Sequence, residues 1–295
     1  MLLSDRVWKL KYSREDADLV SRFYVPALST GIRYDRTTGY FRAGSLALAA
    51  RGIEHLVLNG GRMRLLVGCT LNEDELKAIE RGMEMADLIA TKTDLSLPET
   101  SEGFERDALE LLAWMVGRRL LEIKVAVPCD GSTRKPVQGT AIFHEKSGII
   151  EDKTGARLAF VGSINETVQG WMHNSETFHV YTSYGPGTQY LEEEEESFRR
   201  YWEDEATQTR VYDLPTALED DLLRFLPEND QLPQRLRRLE GADEVVDTDT
   251  PLSPQDQDDV DAQRAALWER IRTAAQDPVG GIWVGEATSP MEAWP

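Results

Sequence analysis

Two hydrophobic patterns alternate over the first 130 residues. Short runs rich in β-branched and apolar residues predict strands, and longer runs with apolar residues at helical spacing predict helices. The predicted strands are residues 32–41, 62–69 and 122–128; the predicted helices are 43–58, 72–90 and 102–121, after a short one that ends near Pro26. This alternation is typical of an α/β layered fold, with a mostly parallel sheet flanked by helices.

After residue 140 the pattern changes to consecutive strands. Residues 140–152 and 156–165 predict two strands joined by Lys153-Thr154-Gly155, a hairpin signal. Residues 177–184 predict one more strand. Residues 190–202 predict a helix, because their acidic start and late arginines suit the helix macrodipole, and 213–226 predict a short one.

The last third of the chain changes in composition. Residues 241–261 consist largely of Asp, Thr, Pro, Gln and Ser, which predicts a disordered acidic linker. We therefore expect a main domain at 1–205, a helical extension at 206–240, the linker, and a helix with a tail at 262–295. The tail ends on apolar and aromatic residues, so we expect the chain to be part of something longer.

Charge is unevenly distributed along the chain. Residues 1–190 carry 23 basic and 25 acidic side chains, whereas residues 191–295 carry 10 and 27, which accounts for the net charge of −19. A uniformly acidic surface would repel a polyanion. A nearly neutral body with an acidic appendage leaves nucleic acid open as a partner.

Sequence features also indicate the cellular location of the protein. No apolar run approaches the ~18–20 residues that a membrane span needs, and the start of the chain has no signal-peptide pattern. Cys69 and Cys129 are too few for a disulfide framework, and each ends an apolar run, so we expect buried free thiols. These features predict a cytoplasmic protein that has no membrane partner.

The candidate chemistry lies in the predicted hairpin. Alternate residues of a strand share a face, so His144 and Lys146 are expected to project together, as are Ser163 and Asn165 on the neighbouring strand. An imidazole, an ammonium and two neutral donors among apolar neighbours are typical of a phosphate pocket. No cluster of carboxylates or histidines predicts a metal, and we expect no cofactor.

The pattern His-x-Lys followed by Gly-Ser-x-Asn resembles the signature of the phospholipase D superfamily. The match is His144-Glu145-Lys146 with Gly162-Ser163-Ile164-Asn165, and Glu176 stands where nucleases of the family often carry an orienting acid. The resemblance implies a phospholipase D-like layered sandwich with one such unit.

One departure from the family pattern concerns the acid after the lysine. The acid expected five residues after Lys146 is Glu151, with Asp152 adjacent, and the gap to Gly162 is longer than in the simplest members. The hairpin turn can absorb that insertion. Whether Glu151 or Asp152 contributes to the site stays open, since both also fit charges at the end of a hairpin.

The resemblance implies a role for each residue. His144 would attack phosphorus and form a phosphohistidine, and a second histidine would protonate the leaving oxygen. Lys146, Ser163 and Asn165 would hold the non-bridging oxygens. Glu176 would bind the far ring nitrogen of His144. None of these steps needs a metal.

The number of His-x-Lys motifs predicts an assembly. Of the four histidines, only His144 has a lysine two residues later, whereas family members bring two such motifs to one site. The resemblance therefore implies a twofold homodimer in which the two His144 side chains face each other.

A second resemblance concerns the N-terminal half. The segments FYVPAL, YDRTTGYF and LVLNGGRMRLLVG resemble the region that precedes a superfamily 2 helicase in some restriction and phage-defence proteins. A helicase domain or subunit is thus an expected partner.

Together these features predict a metal-independent phosphodiesterase that acts on DNA. The alternative is a catalytically silent module for dimerisation and DNA binding. A phospholipid-transferring enzyme is disfavoured, because the chain has no amphipathic helix with a basic face.

Individual residues also allow plainer interpretations. Glu176 fits a polar strand residue and Ser163 a small turn residue, while His179 fits a core position in an apolar strand. Another group of residues fits either phosphate contacts or a solvated surface: Arg33, Arg36, Arg42, Arg134 and Lys135.

Overall fold

The computed structural model describes residues 2–16, 18–39, 50–69, 104–137, 142–165, 176–214 and 223. The chain divides into two compact units, Met1–Asp243 and Glu244–Pro295, and all described residues belong to the first. The predicted helix at 72–90, the acidic linker and the C-terminal helix lie outside the described residues.

One eight-stranded sheet forms the centre of the fold. In chain order the strands are β1 (Lys11–Ser13), β2 (Gly31–Thr38), β3 (Arg62–Gly68), β4 (Leu121–Pro128), β5 (Ser147–Asp152), β6 (Arg157–Gly162), β7 (Thr177–Thr182) and β8 (Thr209–Asp213). Across the sheet they are arranged β1-β7-β6-β5-β2-β3-β4-β8.

The strand directions correct one prediction. Within the described sheet, β2–β3 and β3–β4 are parallel, and the other five neighbouring pairs are antiparallel. The expectation of a mostly parallel sheet is therefore wrong. Parallel pairs need a long crossover, which the alternating first half provides, whereas β5 and β6 are joined by a short turn that permits only an antiparallel pair.

Four helices accompany the sheet in the described residues: α1 (Val25–Thr30), α2 (Ala50–Leu58), α3 (Phe104–Gly117) and α4 (Thr188–Trp202). A π-helical turn, Val20–Tyr24, leads into α1. Pro26 lies in the first turn of α1, and the expectation that a helix ends there is wrong. A proline fits the first turn because the N–H it lacks would have no partner there.

The sheet is covered on both faces. On β3, Leu65 packs in the core that includes residues of α1, α2 and α3, whereas the next residue, Leu66, packs in a second core with Phe198 and Trp202 of α4. Successive strand residues point to opposite faces, so α4 lies on the face opposite the other helices. The predicted layered α/β architecture is thus present, with a mixed sheet.

The predicted hairpin turn is confirmed between β5 and β6. Gly155 has φ +81°, a value that glycine adopts without strain. Asp152 stabilises the turn, because its Oδ1 accepts hydrogen bonds from the amide and the hydroxyl of Thr154 at 2.8 and 2.6 Å.

The two edge strands are not among the predicted elements. β1 pairs with β7, and β8 pairs with β4. β8 lies inside segment 206–240, where a helical extension is predicted, so a strand replaces the first part of that extension. The proposed domain boundaries themselves stay a prediction.

Two further expectations concern thiols and membranes. Cys69 and Cys129 are free and buried, as predicted, directly after β3 and β4. Within the described residues, no helix combines the length and apolar character that crossing a membrane requires.

Candidate active site

The candidate site lies where the parallel strands β2 and β3 end. Such carboxyl ends commonly carry functional groups, because the chain leaves the sheet there and exposes backbone and side chains. A Cβ atom at Gly68 would stand 2.8 Å from the carbonyl oxygen of Phe143 and 3.0 Å from that of Gly39. Glycine is needed at Gly68 because the segment that carries His144 crosses closely over this edge.

The segment Ile142–Lys146 precedes β5 and is not part of it, which corrects the prediction of a strand from residue 140. β2 pairs Thr37 with Ser147 and ends one residue later, so residues before Lys146 have no ladder partner on that side. On the other side, Gly162 still donates its amide to the carbonyl of Lys146 at 3.1 Å.

His144 and Lys146 differ in exposure, although both were expected to project together. His144 is exposed, whereas Lys146 is only 5% exposed. The Lys146 ammonium turns back and donates a hydrogen bond to the His144 carbonyl at 2.8 Å. The local structure therefore combines an exposed histidine with a largely buried cation two residues later.

The electrostatic surroundings of Lys146 depress its basicity. Burial lowers the pKa of the Lys146 ammonium, and the Arg36 guanidinium lowers it further, while the Glu176 carboxylate raises it in part. A cation held in this way is a strong partner for an anion, because little water competes for it.

Asn165 lies beside this cation, as the motif predicts. A Cβ atom at Gly39 would stand 3.4 Å from Nζ of Lys146, 3.3 Å from Oδ1 of Asn165 and 3.2 Å from the Phe143 carbonyl oxygen. Thr38 donates its hydroxyl to the same Asn165 oxygen at 3.4 Å. The lysine and the asparagine thus converge on the backbone of Gly39.

Ser163 has a different environment. Its exposed hydroxyl donates to the Thr177 carbonyl at 3.3 Å and accepts from the Thr177 amide at 3.1 Å. These bonds tie the Gly-Ser-x-Asn segment to the start of β7, next to Glu176. Ser163 therefore holds the backbone of two site segments together.

Glu176 lies within electrostatic reach of Lys146 and is partly exposed. Among the hydrogen bonds of the described residues, none joins its carboxylate to the His144 imidazole. Its role as the partner of that ring stays a prediction.

The opposite side of the same segment is anchored to α4. The rings of Phe143 and Tyr201 meet edge to face at 5.3 Å, and the Tyr201 hydroxyl donates to Glu145. Ser147 makes a hydrogen bond with Glu194. Odd-numbered residues from 143 to 147 thus contact α4, which leaves His144 and Lys146 for the site.

The buried position of Arg36 is not predicted by the sequence pattern. Its side chain is completely buried beneath the site and donates to two backbone carbonyls, those of Ser147 and Ile164. The available signal was an arginine in the middle of a strand, between Asp35 and Thr37, a pattern that equally fits a surface position.

Several other candidates have structural partners. Arg33 pairs with Glu151 at 2.7 Å, and Arg134 pairs with Asp204 at 2.7 Å, so neither guanidinium is a free phosphate contact. Besides capping the turn, Asp152 accepts the Leu3 amide at 2.8 Å.

One histidine assignment is wrong. A core position was expected for His179, but it is exposed on β7. The reason is strand alternation: its neighbours Phe178 and Val180 are buried, so His179 points to the opposite face. Arg42 and His173 lie outside the described residues. Among the residues that are described, no group of three or more His, Cys, Asp or Glu side chains could hold a metal ion.

Comparison with known proteins gives distant matches of structure. No protein-family model and no curated protein matches the chain. NucT from Helicobacter pylori is similar over 68% of this chain and 97% of its own, at 12% identity and a TM-score of 0.39. Nuc from Salmonella typhimurium is similar over 65% and 90%, at 13% identity and a TM-score of 0.35. It is a phospholipase D family member.

Phosphatidylserine synthase from Haemophilus influenzae is also similar, over 72% of this chain and 40% of its own, at 19% identity and a TM-score of 0.36. TM-scores of 0.35 to 0.39 are a distant likeness, so function has to be inferred from the residues of the site itself.

Proposed function

We propose that this chain is a phosphodiesterase that cleaves DNA through a phosphohistidine intermediate, without a metal. The observation that carries the proposal is that the Lys146 ammonium and the Asn165 side chain converge at Gly39, while His144, two residues before the lysine, is exposed. These groups supply a nucleophile and a positively polarised cradle for phosphate oxygens within a few residues of each other.

The reaction follows from these positions. A ring nitrogen of His144 attacks phosphorus, so that an N–P bond forms and the P–O bond to the leaving strand breaks. Lys146 and Asn165 hold the non-bridging oxygens, whose negative charge grows in the transition state. Water then attacks phosphorus, its proton passes to the imidazole that protonated the leaving oxygen, the N–P bond breaks, and His144 regains its neutral imidazole.

The leaving oxygen needs a proton, and this chain has a single His-x-Lys motif. We infer that the proton comes from His144 of a second copy, across a twofold interface. The exposure of His144 supports this arrangement, because a buried imidazole could not meet its counterpart.

DNA is the proposed substrate because the site is cationic, while the first 190 residues are nearly neutral overall. A long strand can therefore approach this body without strong repulsion. The linkage to a helicase and the cytoplasmic location remain proposals from the sequence.

The test compares two exposed histidines. We expect His144→Ala to abolish cleavage of plasmid DNA in EDTA and to abolish trapping of an acid-labile phosphoprotein with a labelled phosphodiester. His179→Ala is the matched control and should retain both. Cleavage that persists in His144→Ala would contradict the proposal.

The same assays separate the alternatives. DNA binding by the wild-type chain without turnover, at any ionic strength and with or without added metal, would favour the silent module. Hydrolysis of phosphatidyl esters in place of DNA would favour the lipid enzyme.

A further inference from the structure

Arg36 lies in the middle of β2 and is completely buried. A guanidinium carries a permanent charge and five N–H donors, so burying it is costly unless those donors are bonded. Such a group remains in a core only where its contacts compensate for the lost hydration. The partners of Arg36 are therefore informative.

Two of these partners belong to the two halves of the candidate site. Nη1 donates to the carbonyl of Ser147 at 3.0 Å, and Nη2 donates to the carbonyl of Ile164. Ser147 directly follows Lys146, and Ile164 lies between Ser163 and Asn165. One rigid planar group thus spans the distance between both motif segments.

The guanidinium is itself fixed. Its central carbon lies 5.1 Å from the ring centroid of Phe160 on β6, a cation–π arrangement. The Arg36 charge also acts on the site, because Arg36 and Glu176 are the charged groups among the described residues that shift the pKa of Lys146. The Lys146 ammonium itself donates a hydrogen bond to the His144 carbonyl.

We propose that Arg36 is a positioning residue, which sets the separation of Lys146 and Asn165 by bridging the backbones of their segments. It touches neither substrate nor reacting atoms. The expected effect of Arg36 on DNA turnover rests on the proposed function, whereas its expected effect on the titration of the Lys146 ammonium does not.

Lysine cannot replace Arg36 in this role, because an ammonium is a point donor without the planar fork that reaches both carbonyls. Arg36→Lys keeps the charge and loses the bridge, whereas Arg36→Met loses both and retains an unbranched apolar stem. Arg64→Lys is the matched control, because Arg64 is a half-buried strand arginine that binds Asp35 with two hydrogen bonds of 2.7 Å.

The first readout is the rate of DNA cleavage by variants whose folding is confirmed by circular dichroism and thermal melting. For Arg36→Lys we expect kcat to fall by about 10- to 100-fold with KM changed less than about threefold, as for a misplacement of about 1 Å in a reacting site. Arg64→Lys should retain the wild-type kcat.

The second readout does not depend on activity. The ammonium of Lys146 is titrated by carbon NMR of its ε position, and the signal is assigned by its absence in Lys146→Arg. The titration should move to higher pH in Arg36→Met, because a neighbouring cation is removed, and should stay in place in Arg36→Lys.

Each outcome of these two measurements either supports or overturns the proposed role of Arg36. A folded Arg36→Lys chain with wild-type kcat overturns the proposal, as does a Lys146 titration that does not move in Arg36→Met. Failure of both variants to fold would assign Arg36 to folding alone and also overturns it. A wild-type chain that cleaves no DNA contradicts the proposed function only, and the titration still tests the action of Arg36 on Lys146.

Discussion

Strand β2 carries arginines toward two different environments. On the α4 side, Arg33 pairs with Glu151 at 2.7 Å and with Glu195 at 3.2 Å, so its charge is neutralised by carboxylates. Three residues further along, Arg36 donates to backbone carbonyls, and so does Lys146. Hydrogen bonds to backbone carbonyls fix the positions of the backbone segments that carry them.

The two sets of contacts have different roles: one attaches a helix to the sheet, and the other fixes the backbone around the candidate site. Carboxylate pairs on the α4 side attach that helix to the sheet, as Glu195 does by reaching both Arg33 and Arg157. Of the ion pairs found among the described residues, none includes Lys146. We therefore expect substitutions of the carboxylates that attach α4 to the sheet to change stability, and substitutions near Lys146 to change function.

Among the substitutions that test this division, Lys146→Met has the largest expected effect. Loss of one group that stabilises transition-state charge costs about 10²- to 10³-fold in kcat, while thermal stability should not fall, because a desolvated charge is removed. DNA cleavage and melting temperature are the measurements.

Lys124→Met is the matched control for that variant. Lys124 lies on β4 and donates to the Trp202 carbonyl at 3.2 Å. It should leave cleavage unchanged. Equal loss of activity in both variants would contradict the division between the two regions.

Glu195→Ala tests the α4 side. It removes a carboxylate shared by Arg33 and Arg157, both of which are partly exposed, and should lower the free energy of unfolding by about 1–3 kcal/mol. Urea denaturation measures the loss, with the exposed Glu192→Ala as control. Cleavage per folded molecule should be retained, and a parallel loss of kcat would show that the regions are coupled.

The lowered pKa of Lys146 predicts opposite pH trends for stability and activity. The cost of burying the charge is fully present below the folded-state pKa and is relieved as pH rises toward the unfolded value of about 10.4. The unfolding free energy should therefore rise in that window while cleavage falls, because a neutral amine holds phosphate oxygens poorly. Lys146→Met should lack this rise, and Lys124→Met should keep it.

The smallest expected effect comes from Tyr201→Phe. It removes the hydroxyl that donates to Glu145 and retains the ring contact with Phe143, so kcat should fall about two- to fivefold, the value of one hydrogen bond. Tyr190→Phe, on the exposed side of α4, is the control. A loss above tenfold would place Tyr201 among the groups that act on the reaction directly.

Local patterns explain which elements could be predicted. β3 and β4 have dense apolar runs, and β2 has β-branched and aromatic residues. The Lys153-Thr154-Gly155 turn has a distinctive residue set, so sequence alone located all four. β1 has three residues and pairs with a strand more than 160 residues away, a relation that no local pattern contains. The expectation of a mostly parallel sheet failed because it was based on the strand–helix alternation of the first 130 residues, although the hairpin after residue 140 already predicts an antiparallel pair.

The site was predictable in composition but not in geometry. The motif spacing indicated that Lys146 and Asn165 would meet, and they do. The expected alternation holds in that residues 143, 145 and 147 contact α4, but His144 is exposed whereas Lys146 is buried, because β2 ends before reaching His144. Burial of Arg36 could not be anticipated, since it depends on carbonyls 111 and 128 residues further along the chain.

The burial of both cysteines has a practical consequence for measuring the proposed assembly. Thiol reagents attack the thiolate, and burial raises the pKa of the Cys129 thiol, while Cys69 is 6% exposed. A cysteine introduced at an exposed turn position, as in Lys153→Cys, should therefore take a spin label selectively. Dipolar spectroscopy could then measure the spacing between two copies without first removing the native thiols.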